Sequence, residues 1–420
     1  MIVSLLKIKI IEQLFDKFSQ TSSQKAIEKA LLKKTCTLIK GIVGSGLSFR
    51  LVTAFHKLDL NLLLVLDNAE QAAYYFNDLE QLLNKTQVFY FPASYREAYR
   101  REATNNANVL QRSEVLKKLG DNNKKKIIVT YPEALFEKVI SQKTLKRKTL
   151  PMKLGENIGL DFINETLFEY GFERVNFVTQ PGEFSVRGGI IDVFSFSHQH
   201  PYRLEFFDQK IESLRSFDVN TQLSISSLSK IDLLPNTSKI SFSYERKSII
   251  ESLSNECGLI INQLDICMNR LGNLFKKAQK QFETLETTIQ YPPETLFLNQ
   301  QGLIDELENK SLLLINSSDK FNHHEKISFK QSPQPSINKQ FDRLIQILND
   351  NHKSGFENFI FCSNESQKKR LNDIFEQNES TIHYKTGFYP LYEGFEDLEA
   401  KVACFTDHQI FERYHKYKIR

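Results

Sequence analysis

Residues 35–135 alternate between short continuous apolar runs and stretches with helical periodicity. Continuous apolar runs are typical of strands that are buried on both faces of a parallel sheet. The predicted strands are Thr35–Lys40, Leu62–Leu66, Val88–Phe91 and Ile127–Thr130. The predicted helices between them are Ser48–Lys57, Ala69–Leu83 and Asn106–Leu119. This order predicts a doubly wound α/β domain, with 1–135 as its first segment.

The pattern changes from about residue 155, where one predicted helix, Gly159–Tyr170, is followed by closely spaced short strands up to residue 222. Residues 136–224 are therefore predicted to form an inserted α+β domain. Residues 225–318 return to the first domain, with a long amphipathic helix and a further buried strand. The polar segment 319–338 contains two prolines and is predicted to be a linker. Residues 339–420 are predicted to form a small α/β third domain.

The N-terminal residues 1–18 are apolar only in part, and charged residues interrupt them. They predict an amphipathic helix and not a signal peptide. No apolar run reaches the roughly 18 residues that span a bilayer. The five cysteines are scattered and never spaced as C-x-x-C, which favours a reducing compartment and excludes a zinc site of that type. We therefore expect a cytoplasmic protein with no membrane partner. Its 55 basic and 51 acidic residues do not indicate a nucleic-acid-coating protein.

A glycine-rich loop follows the first predicted strand and precedes the first predicted helix of this alternation. It fits the phosphate-loop pattern G-x-x-x-x-G-K-[ST] at every fixed position except the lysine, where Leu47 stands. A leucine cannot neutralise phosphate charge, so we predict a degenerate loop that serves folding, with no cofactor and no metal. Asp67, after the second strand, is predicted to lie at a surface-facing strand end. The residues of the degenerate loop are Gly41, Gly44, Ser45, Gly46, Leu47 and Ser48.

The strands between Pro181 and Gln222 place unexpected side chains on one face. In the run Tyr202–Phe207, alternation assigns Tyr202, Leu204 and Phe206 to the core, and Arg203, Glu205 and Phe207 to the opposite face. The same rule exposes Arg187 on a neighbouring strand. Arginine combined with an aromatic side chain is the composition of protein-binding hot spots. A solvated β-face with one stray aromatic residue is the alternative that the pattern leaves open.

Two lysine-rich runs, Lys124–Lys126 and Lys143–Lys148, are candidate nucleic-acid contacts. Neither run is interleaved with aromatic residues, which single-strand binding sites use for stacking. Solvated loops are the simpler interpretation, and a direct damaged-DNA-binding protein stays open as an alternative.

The run PGEFSVRGGIIDVF…PYRLEFFDQKIESLRSFDVNTQ resembles the UvrA-binding domain of the bacterial transcription-repair coupling factors, the Mfd family, and more distantly the matching domain of UvrB. The segments LIKGIVGSGLSF, VFYFPASYREAYR, ANVLQRSEVLKKL and IIVTYPEAL resemble the first domain of that family. The segment ACFTDHQIFERYHKYKIR resembles the end of its third domain. The resemblance covers nearly the whole chain and is most specific between residues 181 and 222.

The resemblance implies a RecA/UvrB-like parallel-sheet domain with a degenerate P-loop, an inserted α+β UvrA-binding domain and a small α/β domain. It implies UvrA as the partner, with Arg187, Arg203 and Phe207 as the contact residues. Complete family members also contact RNA polymerase and translocate on double-stranded DNA with ATP, so the chain is expected to be a non-enzymatic N-terminal fragment. An ATP-dependent UvrB-like excision-repair subunit is the alternative. It requires a lysine in place of Leu47 and a longer aromatic hairpin than the segment Tyr90–Val109 allows.

Overall fold

The computed structural model describes residues 2–83, 85–94, 98–99, 105–120, 125–237, 244–254, 256–284, 291–377 and 381–413. Its elements fall into four consecutive stretches of the chain. The first stretch contains α1 (Ile2–Gln20), α2 (Ser22–Leu31), β1 (Cys36–Lys40), α3 (Gly46–Lys57), β2 (Asn61–Val65), α4 (Ala69–Leu82), β3 (Val88–Tyr90), α5 (Asn106–Leu119), β4 (Ile127–Thr130), α6 (Pro132–Phe136), β5 (Val139–Ile140) and α7 (Gln142–Lys148).

The second stretch contains β6 (Leu150–Lys153), α8 (Leu160–Glu169), β7 (Glu173–Arg174), β8 (Glu183–Arg187), β9 (Ile190–Val193), β10 (Tyr202–Phe207), β11 (Lys210–Phe217), β12 (Ser224–Ser227) and β13 (Lys230–Leu233). The third contains β14 (Arg246–Lys247), α9 (Ile249–Ser252), β15 (Cys257–Asn262), α10 (Leu264–Glu283), α11 (Pro293–Leu296), α12 (Gln300–Leu307), β16 (Ser311–Ile315) and β17 (Glu325–Ser328). The fourth contains β18 (Gln331–Pro333), α13 (Phe341–Lys353), β19 (Glu357–Phe361), α14 (Glu365–Glu376), β20 (Lys385–Gly387), β21 (Phe395–Asp397), β22 (Val402–Thr406) and α15 (Asp407–Ile410).

A parallel sheet in the order β17-β1-β16-β15-β2-β4-β3 forms the centre of the described residues. Its central strands are the continuous apolar runs, which are buried along nearly their whole length because helices cover both faces. Strands β15 and β16 follow the insert in sequence, yet they lie between β1 and β2 in the sheet. The predicted α/β class with a parallel sheet is confirmed.

The insert consists of helix α8 and a sheet in the order β12-β11-β10-β9-β8-β7, in which only the β7–β8 pair is parallel. Its inner face carries Phe184, Ile191 and Leu204, which share one buried cluster with Ile163 and Leu167 of α8. Strand β13 pairs with β6 and closes the insert. Because β12 begins at the predicted end, residue 224, and β13 follows it, the insert extends further than its alternating pattern indicated.

The predicted linker 319–338 contains two strands, so that part of the prediction is wrong. Strand β17 pairs in parallel with β1 at the edge of the central sheet. Strand β18 pairs with β21 at the edge of a sheet ordered β18-β21-β22-β19-β20. Both are edge strands, where polar residues and the strand-terminal Pro333 are tolerated because one side of the backbone forms no ladder. Their polarity is what made them look like a linker.

The central sheet and the fourth stretch share one buried core. The rings of Phe49 and Phe395 have centroids 5.8 Å apart, and Phe18 and Phe361 each contact Phe49. Beside these rings, Arg50 Nη2 lies 2.5 Å from Asp397 Oδ2, and both side chains are buried. A smaller second cluster around Ile360 and Phe405 completes the fourth stretch. Contacts through α3 therefore join the two α/β sheets.

Candidate functional site

The outer face of the insert sheet is the side turned away from α8, and it carries charged and aromatic residues. Strand β9 lies between β8 and β10, so Arg187 and Arg203 are one strand apart and not adjacent. The register pairs Asp192 of β9 with Arg203 on one side and with Ser185 on the other. An acidic residue thus stands between the two arginines on the same face.

Asp192 holds both guanidinium groups. Arg203 donates from Nε to Oδ1 at 2.6 Å and from Nη2 to Oδ2 at 2.8 Å, a bidentate geometry that also raises the pKa of Arg203. Arg187 donates from Nη2 to Oδ2 of the same carboxylate. The Asp192 side chain is only 1% exposed, whereas those of Arg203 and Arg187 are 17% and 38% exposed. The carboxylate therefore acts as a buried anchor beneath two arginines that reach solvent.

Two aromatic side chains border the arginines. Phe207, at the end of β10, is 73% exposed, and Phe177, in the loop before β8, is 63% exposed. The guanidinium carbon of Arg187 lies 5.2 Å from the centre of the Phe177 ring, and that of Arg203 lies 4.5 Å from the buried Phe217 ring. These stacking contacts restrict both arginines further. We call Arg187, Arg203, Phe177 and Phe207 the outer-face patch.

The alternation of side chains along the strands predicts that Arg187, Arg203 and Phe207 share one face. In the structure, all three lie on the outer face of the insert sheet. Between Arg203 and Phe207, however, Glu205 forms an ion pair with Arg215, which separates the charged and aromatic parts. Asp192 was missed in the sequence. It could have been found, because the alternation Ile190-Ile191-Asp192-Val193 puts Asp192 on the face opposite the apolar core. Phe177 precedes β8 in a loop, so no strand pattern could have indicated it.

The glycine-rich loop after β1 is filled by residues of the fourth stretch. Val43 donates its backbone N–H to Gln331 Oε1 at 3.1 Å, and Ser45 donates its backbone N–H to the carbonyl of Glu393 at 3.0 Å. Gly44 has a φ of +50°, and a Cβ at this position would lie 2.9 Å from Glu393 Cβ. Leu47 is buried. Amides that bind phosphate in a working loop therefore bind oxygens of this chain instead.

Two aspartates near this loop are buried. Asp78 of α4 accepts hydrogen bonds from Ser48 Oγ at 3.3 Å and from the backbone N–H of Tyr392 at 2.7 Å, and burial raises its pKa to about 7. Asp67 was predicted at a surface-facing strand end, and that prediction is wrong. It is buried and accepts hydrogen bonds from Asn262 and Gln263, because β15 lies beside β2 and brings both amides to it.

The first lysine-rich run is used within the chain where it is described. Lys125 Nζ donates to the carbonyl of Leu58 at 2.9 Å, and Lys126 Nζ donates to the carbonyl of Lys118 at 2.8 Å. Lys124 lies outside the described residues. The second run, Lys143–Lys148, forms most of α7, and its Lys148 pairs with Glu169.

The part of the chain that the structure describes contains neither a metal-binding cluster nor a helix that could span a membrane. No group of three or more His, Cys, Asp or Glu side chains is close enough together to hold a metal ion there. No described helix combines the length and the apolar character that crossing a bilayer requires.

The sequence is similar to a known domain family and to known proteins. Residues 150–238 match the family model of the UvrB interaction domain, so the match contains the whole outer-face patch. The predicted resemblance is confirmed. The chain is similar to transcription-repair-coupling factors. The predicted insert, 136–224, overlaps the matched segment but begins earlier and ends before it.

The similarity to individual relatives is moderate. The transcription-repair-coupling factor of Bacillus subtilis is 28% identical over 259 residues, which cover 62% of this chain and 21% of that protein. Those of Haemophilus influenzae and Escherichia coli are 35% and 34% identical over 114 and 109 residues, each covering 10% of the relative. The chain thus spans a small part of the length of these relatives. A solved structure of the DEAD-box helicase Mss116 aligns with a TM-score of only 0.22 at 10% identity, too low to compare the folds.

We expect titration calorimetry with ATP and magnesium to detect no binding, either to this chain or to its Leu47→Lys variant. A lysine at position 47 cannot restore a site whose amides at Val43 and Ser45 are already bonded. Burying an ammonium group there should lower the free energy of unfolding by more than about 2 kcal/mol. Leu47→Met, which conserves volume, is the matched control and should cost less than about 1.5 kcal/mol. Micromolar ATP affinity in either protein would contradict our interpretation of the loop.

Proposed function

We propose that this chain is a non-enzymatic adaptor that docks UvrA through the outer-face patch and so recruits nucleotide excision repair to a stalled RNA polymerase. The observation that carries the proposal is the anchoring of Arg187 and Arg203 by the buried Asp192, on the same face as the exposed Phe207. This arrangement lies within the segment that matches the UvrB interaction domain.

The patch has the physical properties of a docking surface. Two guanidinium groups share one carboxylate, so the group keeps a net positive charge of 2 − 1 = +1. Arginines held by a buried anchor lose little side-chain entropy when a partner binds. Phe207 and Phe177 offer apolar area that is exposed in the free chain and would be desolvated in a complex. A complementary surface on UvrA therefore carries carboxylates beside an apolar pocket.

Residues 1–420 are proposed to have a docking role and no nucleotide chemistry. In this proposal the binding of RNA polymerase and ATP-driven movement on double-stranded DNA belong to other parts of a transcription-repair-coupling factor. The filled loop at Gly41–Ser48 supports a role without nucleotide chemistry, because Gln331 and Glu393 occupy its amides. Residues 339–413 then act as a structural partner of the central sheet.

Binding of the whole chain to purified UvrA, followed by biolayer interferometry, tests the proposal. We expect Phe207→Ala to weaken the affinity by about 30-fold, the effect of losing a hot spot of about 2 kcal/mol. The double variant Arg187→Ala plus Arg203→Ala should weaken it further. Circular dichroism should show that both variants fold, although the double variant should lose stability because it leaves the buried Asp192 carboxylate without its cations.

The matched control is Phe162→Ala. Phe162 is also an exposed phenylalanine of the insert, at 51%, but it lies on α8, which packs against the inner face of the sheet. This variant should bind UvrA as the unaltered chain does. Normal binding by the double arginine variant, or an equal loss in Phe162→Ala, would remove the outer-face patch as the docking surface.

A further inference from the structure

A cleft of about 340 Å³ lies where the first stretch of the chain meets the insert. Its walls are the last turn of α5, one side of α7, and strand β13. The volume falls in the range of sites that hold small molecules. Neither the glycine-rich loop nor the outer-face patch contributes a residue to it.

The base of the cleft is apolar and its rim is charged. Leu116, Leu145 and Leu234 line the cleft and are buried, and Pro151 lines it beside them. Lys117, Lys146 and Lys230 stand around the opening together with a single acidic residue, Asp232. An apolar body could thus contact the leucines while a polar group stays at the rim.

The charges of the rim do not balance. Asp232 pairs through Oδ2 with Lys117 at 3.2 Å and through Oδ1 with Lys230 at 3.7 Å. Lys146 forms no ion pair within the described residues. Among the residues that line the cleft, three ammonium groups and one carboxylate leave 3 − 1 = +2. The carbonyl end of α5 adds roughly half a negative charge, which is less than this surplus. The cleft therefore favours an anion.

The walls are fixed by bonds to both parts of the fold. The carbonyl of Asp232 accepts from Ser197 Oγ at 2.5 Å, and the backbone N–H of Leu234 donates to Ser195 Oγ at 2.9 Å. Strand β13 also pairs along its length with β6. A cleft whose walls are already held in place requires little ordering when a ligand enters.

We propose that this cleft binds a small organic anion, with one carboxylate, sulfonate or phosphate group at the lysine rim and an apolar body on the three leucines. A nucleic acid is a poorer fit, because an extended polyanion needs a track of cations and aromatic platforms for its bases. The lining of this cleft contains no aromatic side chain. The proposal is independent of UvrA docking.

Gly120 offers a direct way to block the site. It has a φ of −77° and a ψ of −10°, which any L-residue adopts without strain. A Cβ built there would lie 3.8 Å from Gln142 Oε1 and 3.9 Å from Lys146 Cε, so a side chain would extend into the cleft. Gly120→Leu should therefore fill the cleft and leave the fold intact.

The test compares two fluorescent probes with the same kind of apolar body, anilinonaphthalene sulfonate and the uncharged phenylnaphthylamine. We expect the sulfonate to bind the unaltered chain with saturating, single-site behaviour and to lose that site in Gly120→Leu. Lys146→Gln should weaken the sulfonate about tenfold, the effect of one charge-assisted contact, and leave the uncharged probe unchanged. Lys25→Gln, an exposed lysine on α2, is the control and should change neither probe.

Two results would overturn the proposal. The first is sulfonate binding that Gly120→Leu leaves unchanged while circular dichroism shows the variant folded. The second is displacement of the sulfonate by short duplex DNA that binds Gly120→Leu as well as the unaltered chain and weakens steeply with salt. That result would assign the lysines to a nucleic-acid surface. Unchanged UvrA affinity in Gly120→Leu would show that the cleft and the outer-face patch act separately.

Discussion

The Arg50→Met variant is expected to lose about 3–5 kcal/mol of its free energy of unfolding, because it leaves a buried carboxylate without its cation. Arg50 and Asp397 have side chains that are 0% and 1% exposed. Arg50 also donates from Nη1 to Thr21 Oγ1 at 2.6 Å, and its guanidinium lies 4.5 Å from the Phe18 ring centre. One substitution therefore removes contacts to α1, to the turn before α2, and to β21.

The cost of losing Arg50 depends on the charge of Asp397. Its Oδ1 accepts from the backbone N–H groups of Glu399 and Ala400, and its Oδ2 accepts from Gln331 Nε2. An asparagine keeps one acceptor for the turn and carries no charge. The double variant Arg50→Met plus Asp397→Asn should therefore be more stable than Arg50→Met alone, although it has lost more of the original contacts.

Urea unfolding of the three proteins tests this prediction. Circular dichroism supplies the signal, because the chain has no tryptophan. Lys247→Met removes a partner from an exposed pair with Glu251 and should leave the unfolding free energy nearly unchanged. A loss below about 1 kcal/mol in Arg50→Met would contradict the prediction. So would a double variant that is less stable than the single one.

Periodicity in the sequence predicted the central sheet well where strands were apolar throughout. The predicted Ile127–Thr130 is β4 as observed, and Leu62–Leu66 is shifted by one residue from Asn61–Val65. Strands buried on both faces need apolar side chains at every position, which makes them visible in a single sequence. The helices between them carry the matching amphipathic pattern and were also found.

Apolar periodicity did not predict the edge strands β17 and β18. Strand β17 has one buried side chain, Ile327, and β18 ends in a proline. An edge strand is stabilised by the ladder on one side and needs little apolar burial, so its sequence resembles that of a loop. The buried pair of Arg50 and Asp397 was invisible for a related reason. Its partners are 347 residues apart, and no local pattern joins them.

Alternation predicted the face on which Arg187, Arg203 and Phe207 lie but not how deeply each is set. Side-chain direction repeats every two residues in a strand, so the face follows from the sequence. The burial of each side chain depends on what packs over the face. A small buried cluster of Val178, Phe194 and Phe217 covers one end of the outer face of the insert sheet. Arg203 packs on that cluster and is largely buried, whereas Phe207 lies at the open end.

The filled loop and the outer-face patch support one interpretation of the chain. Where a phosphate-binding loop would provide chemistry, its amides hold Gln331 and Glu393, and its leucine is part of the core. Where the insert could have presented a neutral surface, it holds two arginines over a buried aspartate. In the described residues, the glycine-rich loop is thus occupied by contacts with the fourth stretch, and the exposed arginine and phenylalanine side chains lie on the insert.

Asp192→Asn is expected to weaken UvrA binding more than either single arginine substitution, by about 100-fold, although Asp192 itself is 1% exposed and cannot reach a partner. Its carboxylate anchors both guanidinium groups, and asparagine can accept with one oxygen only. Both arginines would then sample other rotamers, and UvrA binding would have to order them again. Because Arg187 and Arg203 reach solvent, they can rehydrate, so the loss of folding stability should stay near 1–2 kcal/mol.

A double-mutant cycle separates this positioning role from a general weakening of the fold. Asp192→Asn added to Arg187→Ala plus Arg203→Ala should change UvrA affinity no further, because the residues through which it acts are already gone. A purely structural effect of Asp192 would persist in that background, since it would also displace Phe207. In the background without the arginines, Asp192→Asn should therefore leave the affinity from biolayer interferometry unchanged and raise the free energy of unfolding from circular dichroism, because it removes a buried charge that has lost its cations. Additive losses of affinity would show that Asp192 does not act through the arginines.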